Sequence, residues 1–372
     1  MEKTDIYTIQ GTDYKQMTQE LLDACHLAED IGDVKKRVGL KPNLAVAKPA
    51  SSGATTHPEL VDGALTYLQE HGFSNLVVME SSWVGDTTTR AVRVNGILDV
   101  CKKHGVEFVD LQKDDSVALD AAGMEIKVCK QALTVDYMIN MPVVKGHCQT
   151  TVTCALKNNK GLIPGSEKRR FHTLGLHKPI AHLNTVVPQD FVLADNICGD
   201  LDFEEGGNPV TMNRILAFKD PLLCDSFAAE ALGHRPEDIE YIRLARDLKV
   251  GSTDVSGARI HSLREEEKEA MTAAELYGKM PAPRGRVGQL SGYVCPKDAC
   301  SACYGSLIYA LDRLDERGML KGKEKGSIAI GQGYRGEEGA LGVGNCTKCF
   351  RKSLGGCPPK AVDIVKFLQE EW

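Results

Sequence analysis

The last 80 residues carry a group of cysteines whose spacing suits a metal site. The group contains two C-x-x-C pairs and a Cys-Pro, and its six members are Cys295, Cys300, Cys303, Cys346, Cys349 and Cys357. Four thiolates complete a 4Fe–4S site, and Cys-Pro is a recurrent last ligand in bacterial ferredoxins. We therefore predict one 4Fe–4S cluster. Its expected ligands are Cys300, Cys303, Cys346 and Cys357, with Cys349 and Cys295 as alternates.

Structural zinc is the alternative for these cysteines, since it also takes four thiolates from two C-x-x-C pairs. The 42 residues that separate Cys303 from Cys346 exceed the usual spacer of about 15–20 residues between zinc-binding pairs. Six cysteines are also more than a zinc ion needs. The other seven cysteines are scattered singly through the first 224 residues, and we expect most of them to be small buried side chains.

A second group of candidate residues lies in the basic, histidine-rich stretch 145–182. This stretch contains seven lysines or arginines, four of the ten histidines and a single acid, within a chain of net charge −6. It begins where a predicted strand ends, and ligands of open α/β sheets bind beyond the carboxyl ends of strands. Ammonium and amide donors at that edge suit a carboxylate or a phosphate. The alternative is a solvated basic loop.

The predicted roles in this anion site follow from side-chain chemistry. His147 and His57 are the candidates for the general acid or base, and Lys145 would neutralise developing negative charge. The expected substrate-binding residues are Lys41, Asn43, Lys157, Asn158 and Lys160. Lys41, Asn43 and His57 are included because they occupy comparable strand-end or helix-start positions.

The elements that must position these residues alternate short apolar runs with amphipathic stretches from about residue 34 onward. Strands are predicted near 38–40, 76–80, 106–109, 126–129, 137–144, 191–195, 214–218 and 327–330. Helices are predicted from an N-cap at Thr56 to Gly72 and near 90–104, 221–232, 236–248, 301–316 and 360–370. This order predicts an α/β fold with a mostly parallel sheet and helices on both faces.

The sequence also predicts three regions. Residues 1–260 are expected to form the α/β domain with the anion site, and 261–285 a charged helix followed by a Pro/Gly-rich linker. Residues 286–372 are expected to form a small α/β segment that holds the cluster. Within it, Gly331-Gln-Gly-Tyr-Arg-Gly336 matches G-x-G-x-x-G, but no helix-length run follows. A glycine turn beside the cluster is therefore favoured over a dinucleotide site.

Composition and charge narrow the classes of partner and compartment. The 42% of hydrophobic and 26% of charged residues are typical of a soluble globular protein. The net acidic charge argues against a general nucleic-acid-binding surface. No apolar run reaches the roughly 18 residues of a membrane span, and the first residues lack a signal-peptide pattern. We expect a cytoplasmic protein without nucleic-acid or membrane partners.

Several short motifs carry a family resemblance. They are Lys41-Pro-Asn43, Thr55-Thr-His-Pro-Glu-Leu60, Val144-Lys-Gly-His147, Ala155-Leu-Lys-Asn158, Lys160-Gly-Leu-Ile-Pro164 and Asp195. Together they resemble the uncharacterised family catalogued as domain of unknown function 362, over roughly residues 37–250. The resemblance implies the α/β fold and, because members often carry iron–sulfur segments, a cluster. The compact C-x-x-C-x-x-C-x-x-x-C-P insert of ferredoxins is missing here, so a two-cluster electron wire is not implied.

The resemblance supplies no reaction, so the functional hypotheses rest on the two predicted sites. The first is a redox enzyme that acts on a small anionic substrate, or a Lewis-acid lyase if one iron is open to substrate. The second is a non-enzymatic electron-transfer or redox-sensing module, whose basic stretch docks to a partner protein. A zinc-stabilised scaffold is the third.

Overall fold

The computed structural model describes residues 1–264 and 285–372, and these residues divide into two compact units. The first unit holds residues 1–171 and 177–264, and the second holds residues 172–176 and 285–372. The charged helix and linker predicted within 261–285 lie almost wholly outside the described residues. Of that range, His261 and Ser262 are described as the end of a strand of the first unit.

The described residues form thirteen helices and sixteen strands. The helices are α1 (Tyr14–Ala24), α2 (Leu27–Ile31), α3 (Pro58–Glu70), α4 (Thr88–Asn95), α5 (Ile97–His104), α6 (Ala155–Asn158), α7 (Gly165–Leu174), α8 (His177–Leu183), α9 (Pro221–Ala231), α10 (Glu240–Asp247), α11 (Arg286–Ser291), α12 (Ser301–Glu316) and α13 (Ala361–Glu371). Of the helices described, none is both long and apolar enough to cross a membrane.

The strands are β1 (Asp5–Gln10), β2 (Val38–Pro42), β3 (Leu76–Glu80), β4 (Glu107–Asp110), β5 (Ser116–Ala121), β6 (Met124–Cys129), β7 (Tyr137–Met141), β8 (Lys145–His147), β9 (Thr151–Thr153), β10 (Phe191–Asp200), β11 (Pro209–Phe218), β12 (Arg259–Ser262), β13 (Val294–Pro296), β14 (Ile328–Ile330), β15 (Leu341–Val343) and β16 (Lys352–Leu354).

Eight of these strands form the main sheet of the first unit, in the order β12-β1-β11-β10-β7-β2-β3-β4. Seven strands run in one direction, and β11 runs antiparallel to both of its neighbours. Every residue of β2, β3 and β7 is buried, as is typical of parallel strands that are covered on both faces. The predicted α/β fold with a mostly parallel sheet is confirmed.

Helices cover both faces of this sheet, as predicted. On one face, apolar residues of α1, α3 and α5 form a continuous buried cluster with alternate residues of β2, β7 and β10. On the other face, α9 packs against β10 and β11. Phe227 of α9 contacts Phe218 of β11 edge to face, with ring centroids 5.7 Å apart.

Two local predictions are wrong, and a third is confirmed outside the main sheet. The helix predicted over 90–104 is two helices, α4 and α5, because Gly96 adopts φ 101° between them. The N-cap of α3 is His57 and not Thr56. The Thr56 hydroxyl instead donates to the Met141 carbonyl and accepts from the backbone N–H of Asn43. These two bonds hold the ends of β2 and β7 together. The strand predicted at 126–129 is confirmed, but it belongs to a separate β5–β6 hairpin.

The second unit is built around a four-stranded parallel sheet, in the order β13-β14-β15-β16. Its longest helix, α12, begins after the N-cap residue Cys300. The predicted helices near 301–316 and 360–370 and the predicted strand at 327–330 are present as α12, α13 and β14.

Candidate anion site and four-cysteine cavity

The first candidate site lies at the carboxyl ends of β2, β3 and β7. The chain passes from β2 through α3 to β3 on one side, whereas β7 pairs with β2 on the other side. The strand order thus reverses between β2 and β7, and in open α/β sheets such a reversal opens a crevice at the carboxyl ends of the strands. Lys41, Asn43, Glu80 and Asn140 lie at or just beyond these strand ends.

Lys41 and Glu80 form a buried ion pair at the centre of this edge. The Lys41 Nζ donates to Glu80 Oε2 at 2.6 Å, to Asn158 Oδ1 at 3.1 Å and to the Pro42 carbonyl at 3.0 Å. Burial lowers the pKa of Lys41, while the charge of Glu80 opposes that shift. Because an ammonium group has three protons and three acceptors surround this one, Lys41 holds the strand ends together.

Lys145 and Lys168 are satisfied in the same way. The Lys145 Nζ donates to Asn43 Oδ1 at 3.2 Å, to the Glu204 carbonyl at 2.9 Å and to the Ala54 carbonyl. The Lys168 Nζ donates to the carbonyl and hydroxyl of Ser81 and to the carbonyl of Ser82. Burial lowers the pKa of each lysine to about 8.

Asparagine side chains connect these lysines. Asn158 Oδ1 accepts from Asn43 Nδ2 at 2.9 Å, and Asn158 Nδ2 donates to Asn140 Oδ1 at 2.7 Å. The backbone of Gly161 closes the network from the other side, since a Cβ there would lie 1.8 Å from Glu80 Oε1. Only glycine fits this position while the ion pair stays in place.

Lys157 and His147 hold a carboxylate of the chain itself. Lys157 Nζ binds Glu204 Oε1, and His147 Nε2 lies 3.1 Å from Glu204 Oε2. His147 Nδ1 accepts from the backbone N–H groups of Gln149 and Thr150, both at 3.0 Å. The proton of the neutral ring is therefore on Nε2 and points at the carboxylate. Burial, and then the charge of Lys157, lower the pKa of His147 to about 4, so the ring is neutral at pH 7.

The charge around this carboxylate is positive. Burial and the neighbouring Lys157 lower the pKa of Lys160 to about 7. Burial also raises the pKa of Glu205, beside Glu204, to about 7. The lysines at this end of the site, Lys145, Lys157 and Lys160, thus lie around one firmly ionised acid, Glu204. Burial raises the pKa of Glu204, but Lys157, His147 and Lys145 outweigh this effect and hold it well below its usual range.

His57 forms a separate pair with Asp195 at the start of α3. Asp195 Oδ2 lies 2.9 Å from His57 Nδ1 and also accepts from the His57 backbone N–H at 2.7 Å. Burial lowers the pKa of His57, but the charge and hydrogen bond of Asp195 outweigh this effect and raise it. The Tyr14 ring contacts the imidazole edge to face, at 5.6 Å between centroids.

The structure thus joins seven of the eight residues predicted for the anion site, in two roles. Lys41, Asn43, Lys145 and Asn158 belong to one hydrogen-bonded network of scaffolding contacts. Lys157 and His147 hold the Glu204 carboxylate, and the electrostatics of Lys160 couple it to Lys157 and Glu204. His57 is paired apart from them, with Asp195.

Sequence reasoning missed Glu80, Lys168 and Glu204 as site residues. Glu80 could have been found, since an acid that ends a buried strand run needs a buried cation. Lys168 lay within the basic stretch but followed no predicted strand. Glu204 gave no such signal, because it stands in the acidic loop between β10 and β11.

The four cysteines predicted as cluster ligands line one cavity of about 100 Å³ in the second unit. Cys300 is the N-cap of α12 and Cys303 lies in its first turn, where the helix dipole favours thiolates. Cys346 lies in the 3₁₀ turn Asn345–Thr347, and Cys357 follows β16. Both alternates, Cys295 and Cys349, are exposed.

The rest of this cavity wall presents hydrogen-bond donors and glycines. Gln332 Nε2 donates to Cys300 Sγ at 3.2 Å, and the hydrogen bond to Cys346 raises the pKa of Arg335. Gly331 and Gly344 also line the cavity, and a Cβ at Gly344 would lie 4.0 Å from Cys303 Sγ. The glycine-rich motif 331–336 is thus a turn beside the cysteines, as predicted.

The chemistry and spacing of the four thiols decide which metal group they suit. Burial, and then the neighbouring thiols, raise the pKa of Cys303 to about 12, so a cation in the cavity would favour the thiolate of this residue. No three of the four sulfurs, all within the described chain, lie within 4.8 Å of one another. Sulfurs around a single zinc lie about 3.8 Å apart, given Zn–S bonds of about 2.3 Å in a tetrahedron. Four cysteine thiols around one cavity are a donor set that suits a 4Fe–4S cluster.

Comparison with known proteins places the anion site inside a family match. A family model described as "Domain of unknown function (DUF362)" matches residues 38–230, just over half of the chain. This range contains Lys41, His57, His147, Lys157 and Glu204, and it ends before the six cysteines of residues 295–357.

Two individual proteins are similar to parts of the chain. Thylakoid-associated protein sll1697 of Synechocystis sp. is 28% identical over 136 residues, which are 37% of this chain and 42% of that protein. The chain thus spans about two fifths of the length of this curated relative. The lactate racemase apoprotein of Thermoanaerobacterium thermosaccharolyticum matches 58% of this chain and 54% of its own, with a TM-score of 0.38 and 11% identity. Similarity at that level carries no argument about function.

Proposed function

We propose a function for this chain on the premise that it belongs to the DUF362 family, whose model covers just over half of its length. The proposed protein is a cytoplasmic redox enzyme. It binds a small anionic substrate at the carboxyl edge of the main sheet and carries a 4Fe–4S cluster in its cysteine-rich unit. The observation that carries this proposal is the Glu204 carboxylate, which lies on the buried donors Lys157 and His147.

The binding step uses two donors that the fold presents at fixed positions. Lys157 lies on α6 and His147 ends β8, and their side chains are 1% and 6% exposed. The lysine supplies charge, and the neutral imidazole supplies one N–H in a set direction. A carboxylate or a phosphate oxygen can accept from both groups. Low exposure strengthens both contacts, because water competes little for the anion.

The proton-transfer step is assigned to His57. Asp195 holds Nδ1–H of His57, which leaves Nε2 as the atom that takes or gives a proton. The carboxylate also stabilises the imidazolium once it forms. We expect His57→Ala to lower turnover by about 10²–10⁴-fold, the usual contribution of a general acid or base.

The lysine scaffold has a positioning role in this proposal. Lys41 and Lys145 direct all their protons at protein acceptors, so they fix the strand-end loops on which Lys157 and His147 depend. Their charges also raise the local positive potential, which helps to attract an anion.

Cys300, Cys303, Cys346 and Cys357 would hold the cluster. A cluster bound there supplies one-electron transfer. Four thiols around one cavity support full ligation by protein, which favours electron transfer over substrate binding at an open iron. The 42 residues between Cys303 and Cys346, which exceed the usual spacer between zinc-binding pairs, support a cluster over a single zinc ion.

The proposed location is the cytoplasm. All thirteen cysteines are in the described residues and each is a free thiol, which fits a reducing compartment. The name of the Synechocystis relative associates that protein with the thylakoid, so cell fractionation should include the membrane pellet. Recovery of the chain in the pellet at physiological salt would contradict the proposed location.

Binding of acetate and of inorganic phosphate, measured by calorimetry on the anaerobically purified chain, tests the anion site. Lys157→Ala with His147→Ala should weaken anion binding by at least tenfold, since hydrogen bonds to a charged group contribute about 1.5–3 kcal/mol each. The matched control is Lys103→Ala with His104→Ala, a lysine and a histidine that hold the surface carboxylate of Asp62. Equal affinity in both double variants would overturn the assignment.

A further inference from the structure

The two donors proposed to bind the substrate, Lys157 and His147, already hold the carboxylate of Glu204. The donors and this acid differ in their exposure to solvent. The side chains of Lys157 and His147 are buried, whereas the Glu204 side chain is 28% exposed. The donors lie on α6 and β8, whereas Glu204 lies on the loop 201–208 that joins β10 to β11. The acid is therefore the partner that reaches solvent and sits on irregular backbone.

We propose that Glu204 is a built-in competitor for the substrate, and that a small monocarboxylate binds by displacing it. The proposal rests on the anion site of the previous section and specifies its ligand. In the free protein the Glu204 carboxylate satisfies Lys157 and His147. A substrate carboxylate then takes over the same two donors, and Glu204 moves into solvent.

The loop is built with a fixed base and a separate tip. Asp200 Oδ1 accepts from the N–H groups of Asp202 and Phe203, and its Oδ2 accepts from the N–H of Asn208 at 2.9 Å. One carboxylate thus clamps both ends of the loop. The four residues between these ends, 204–207, form the tip that carries the competing acid.

Three hydrogen bonds hold the backbone of the tip, and two of them come from lysine ammonium groups. Lys145 Nζ donates to the Glu204 carbonyl at 2.9 Å, and Lys48 Nζ donates to the Glu205 carbonyl at 2.8 Å. The Gly207 N–H donates to the Ser52 carbonyl at 3.0 Å. The Glu204 side chain can leave its two donors while the Asp200 clamp keeps both ends of the loop in place.

The two glycines give the tip its shape. Gly206 and Gly207 adopt φ 69° and φ 127°, and a Cβ at Gly206 would lie 2.3 Å from the Ser52 carbonyl oxygen. Left-handed backbone of this kind is easy for glycine and strained for other residues. The chain can therefore reverse directly after Glu204 and Glu205 and seat the first of these acids on the donors.

The geometry of the donors Lys157 and His147 favours a monocarboxylate over a phosphate. Lys157 contacts one oxygen of Glu204 and His147 contacts the other. Two donors placed in this way suit the two oxygens of a planar carboxylate. The two groups that contact the acid supply one positive charge and one neutral N–H, which match a single negative charge. A phosphate dianion would place a second charge beside the neutral imidazole.

The test compares Glu204→Gln with wild type, using acetate and inorganic phosphate as probes in calorimetry. Glu204→Gln keeps the size of the side chain but removes the competing charge, so acetate affinity should rise at least tenfold. Glu205→Gln is the matched control on the same tip, and its acetate affinity should stay within twofold of wild type. In wild type, saturating acetate should also speed hydrogen exchange of the amides at 204–207, because the tip is released.

Each other outcome has a defined meaning. Equal acetate affinity in wild type and Glu204→Gln, or slower exchange at 204–207 with acetate, would overturn the competitor and leave the anion site standing. Phosphate binding without acetate binding would overturn the ligand class. Absence of binding by either probe to either protein would overturn the anion site itself, and the competitor with it.

Discussion

The anion site and the four-cysteine cavity differ in how their reactive groups are satisfied. In the first unit, each of the buried ammonium groups of Lys41, Lys145 and Lys168 meets three acceptors of the chain. In the second unit, four sulfurs face a shared cavity, and burial followed by the neighbouring thiols raises the pKa of Cys303. The lysine edge is therefore satisfied within the chain, whereas the proposed cluster would supply the cation that the thiols of the cavity lack. The predictions below test that difference.

The largest expected effect is loss of the metal centre from the second unit. Cys303→Ser removes the most enclosed of the four thiols, so the anaerobically purified variant should lose iron, sulfide and the visible absorbance that dithionite bleaches. Metal binding and folding are coupled when ligands repel one another without metal. The second unit should therefore also become protease-sensitive, while the first unit stays folded.

Cys349→Ser is the matched control, because Cys349 belongs to the second C-x-x-C pair but is exposed and does not line the cavity. It should keep the iron content of wild type. A colourless wild-type protein with one equivalent of zinc would contradict the cluster and favour the zinc-stabilised scaffold.

The Lys41–Glu80 pair tests the claim that the lysine edge is scaffolding. Lys41→Met leaves the Glu80 carboxylate buried and unpaired, which should lower the free energy of unfolding by about 3–5 kcal/mol. Lys41→Met with Glu80→Leu should cost less than the sum of the two single changes, because neither charge is then left alone. Urea unfolding followed by circular dichroism measures both effects.

Lys103→Met is the control for this prediction, since Lys103 pairs with Asp62 at the surface and is 55% exposed. Exposed pairs contribute about 0–1 kcal/mol. Similar losses for Lys41→Met and Lys103→Met would mean that the buried network is not a scaffold.

The sequence was informative where one local pattern had one physical meaning. Runs such as 76–79 are apolar throughout, and only a strand that is covered on both faces needs this, so the parallel sheet could be predicted. Cys300 and Cys303 stand just before and just within a helix start, which indicated where two of the thiols would lie. The strand-end rule likewise brought Lys41 and Lys145 to one edge.

The sequence was uninformative where two distant segments must meet. Nothing local to Glu204 shows that the loop 201–208 returns to Lys157, 47 positions earlier. The role of Lys145 was also hidden, because a lysine that binds substrate and one that binds backbone carbonyls have the same sequence signal. Thr56 looked like a helix cap for the same reason, although its hydroxyl bonds to a strand 85 positions away.

Two histidines in the first unit have pKa values shifted in opposite directions, so stability should depend on pH differently for each. Asp195 raises the pKa of His57 above the ordinary 6.5, so the stability that this pair adds is full below pH 6.5 and is lost as the pH rises through the folded pKa. Burial lowers the pKa of His147 to about 4, so its effect has the opposite sign. The stability that neutral His147 contributes is full above pH 6.5 and is lost as the pH drops from 6.5 towards 4.

Nitrogen-15 NMR of the imidazole rings measures both pKa values directly. Asp195→Asn should lower the pKa of His57 and leave that of His147 unchanged, since the two rings have different partners. The pH profile of turnover should follow the His57 titration. A His57 pKa below 6.5 in wild type would contradict the pairing with Asp195 as the source of its proton-transfer role.

The smallest expected effect concerns the hydrogen bond from Gln332 to Cys300, one of the few contacts by which the chain satisfies a sulfur of the cavity. Hydrogen bonds to ligand sulfurs stabilise the more electron-rich, reduced state, so Gln332→Leu should lower the midpoint potential. Loss of about 1 kcal/mol corresponds to roughly 40 mV for one electron. Gln369→Leu is the control, since Gln369 donates to the sulfur of Met319 at 3.3 Å in the same unit, outside the cavity. A potential that moves equally in both variants would mean that Gln332 does not act through Cys300, and the cavity would then depend on its cation alone.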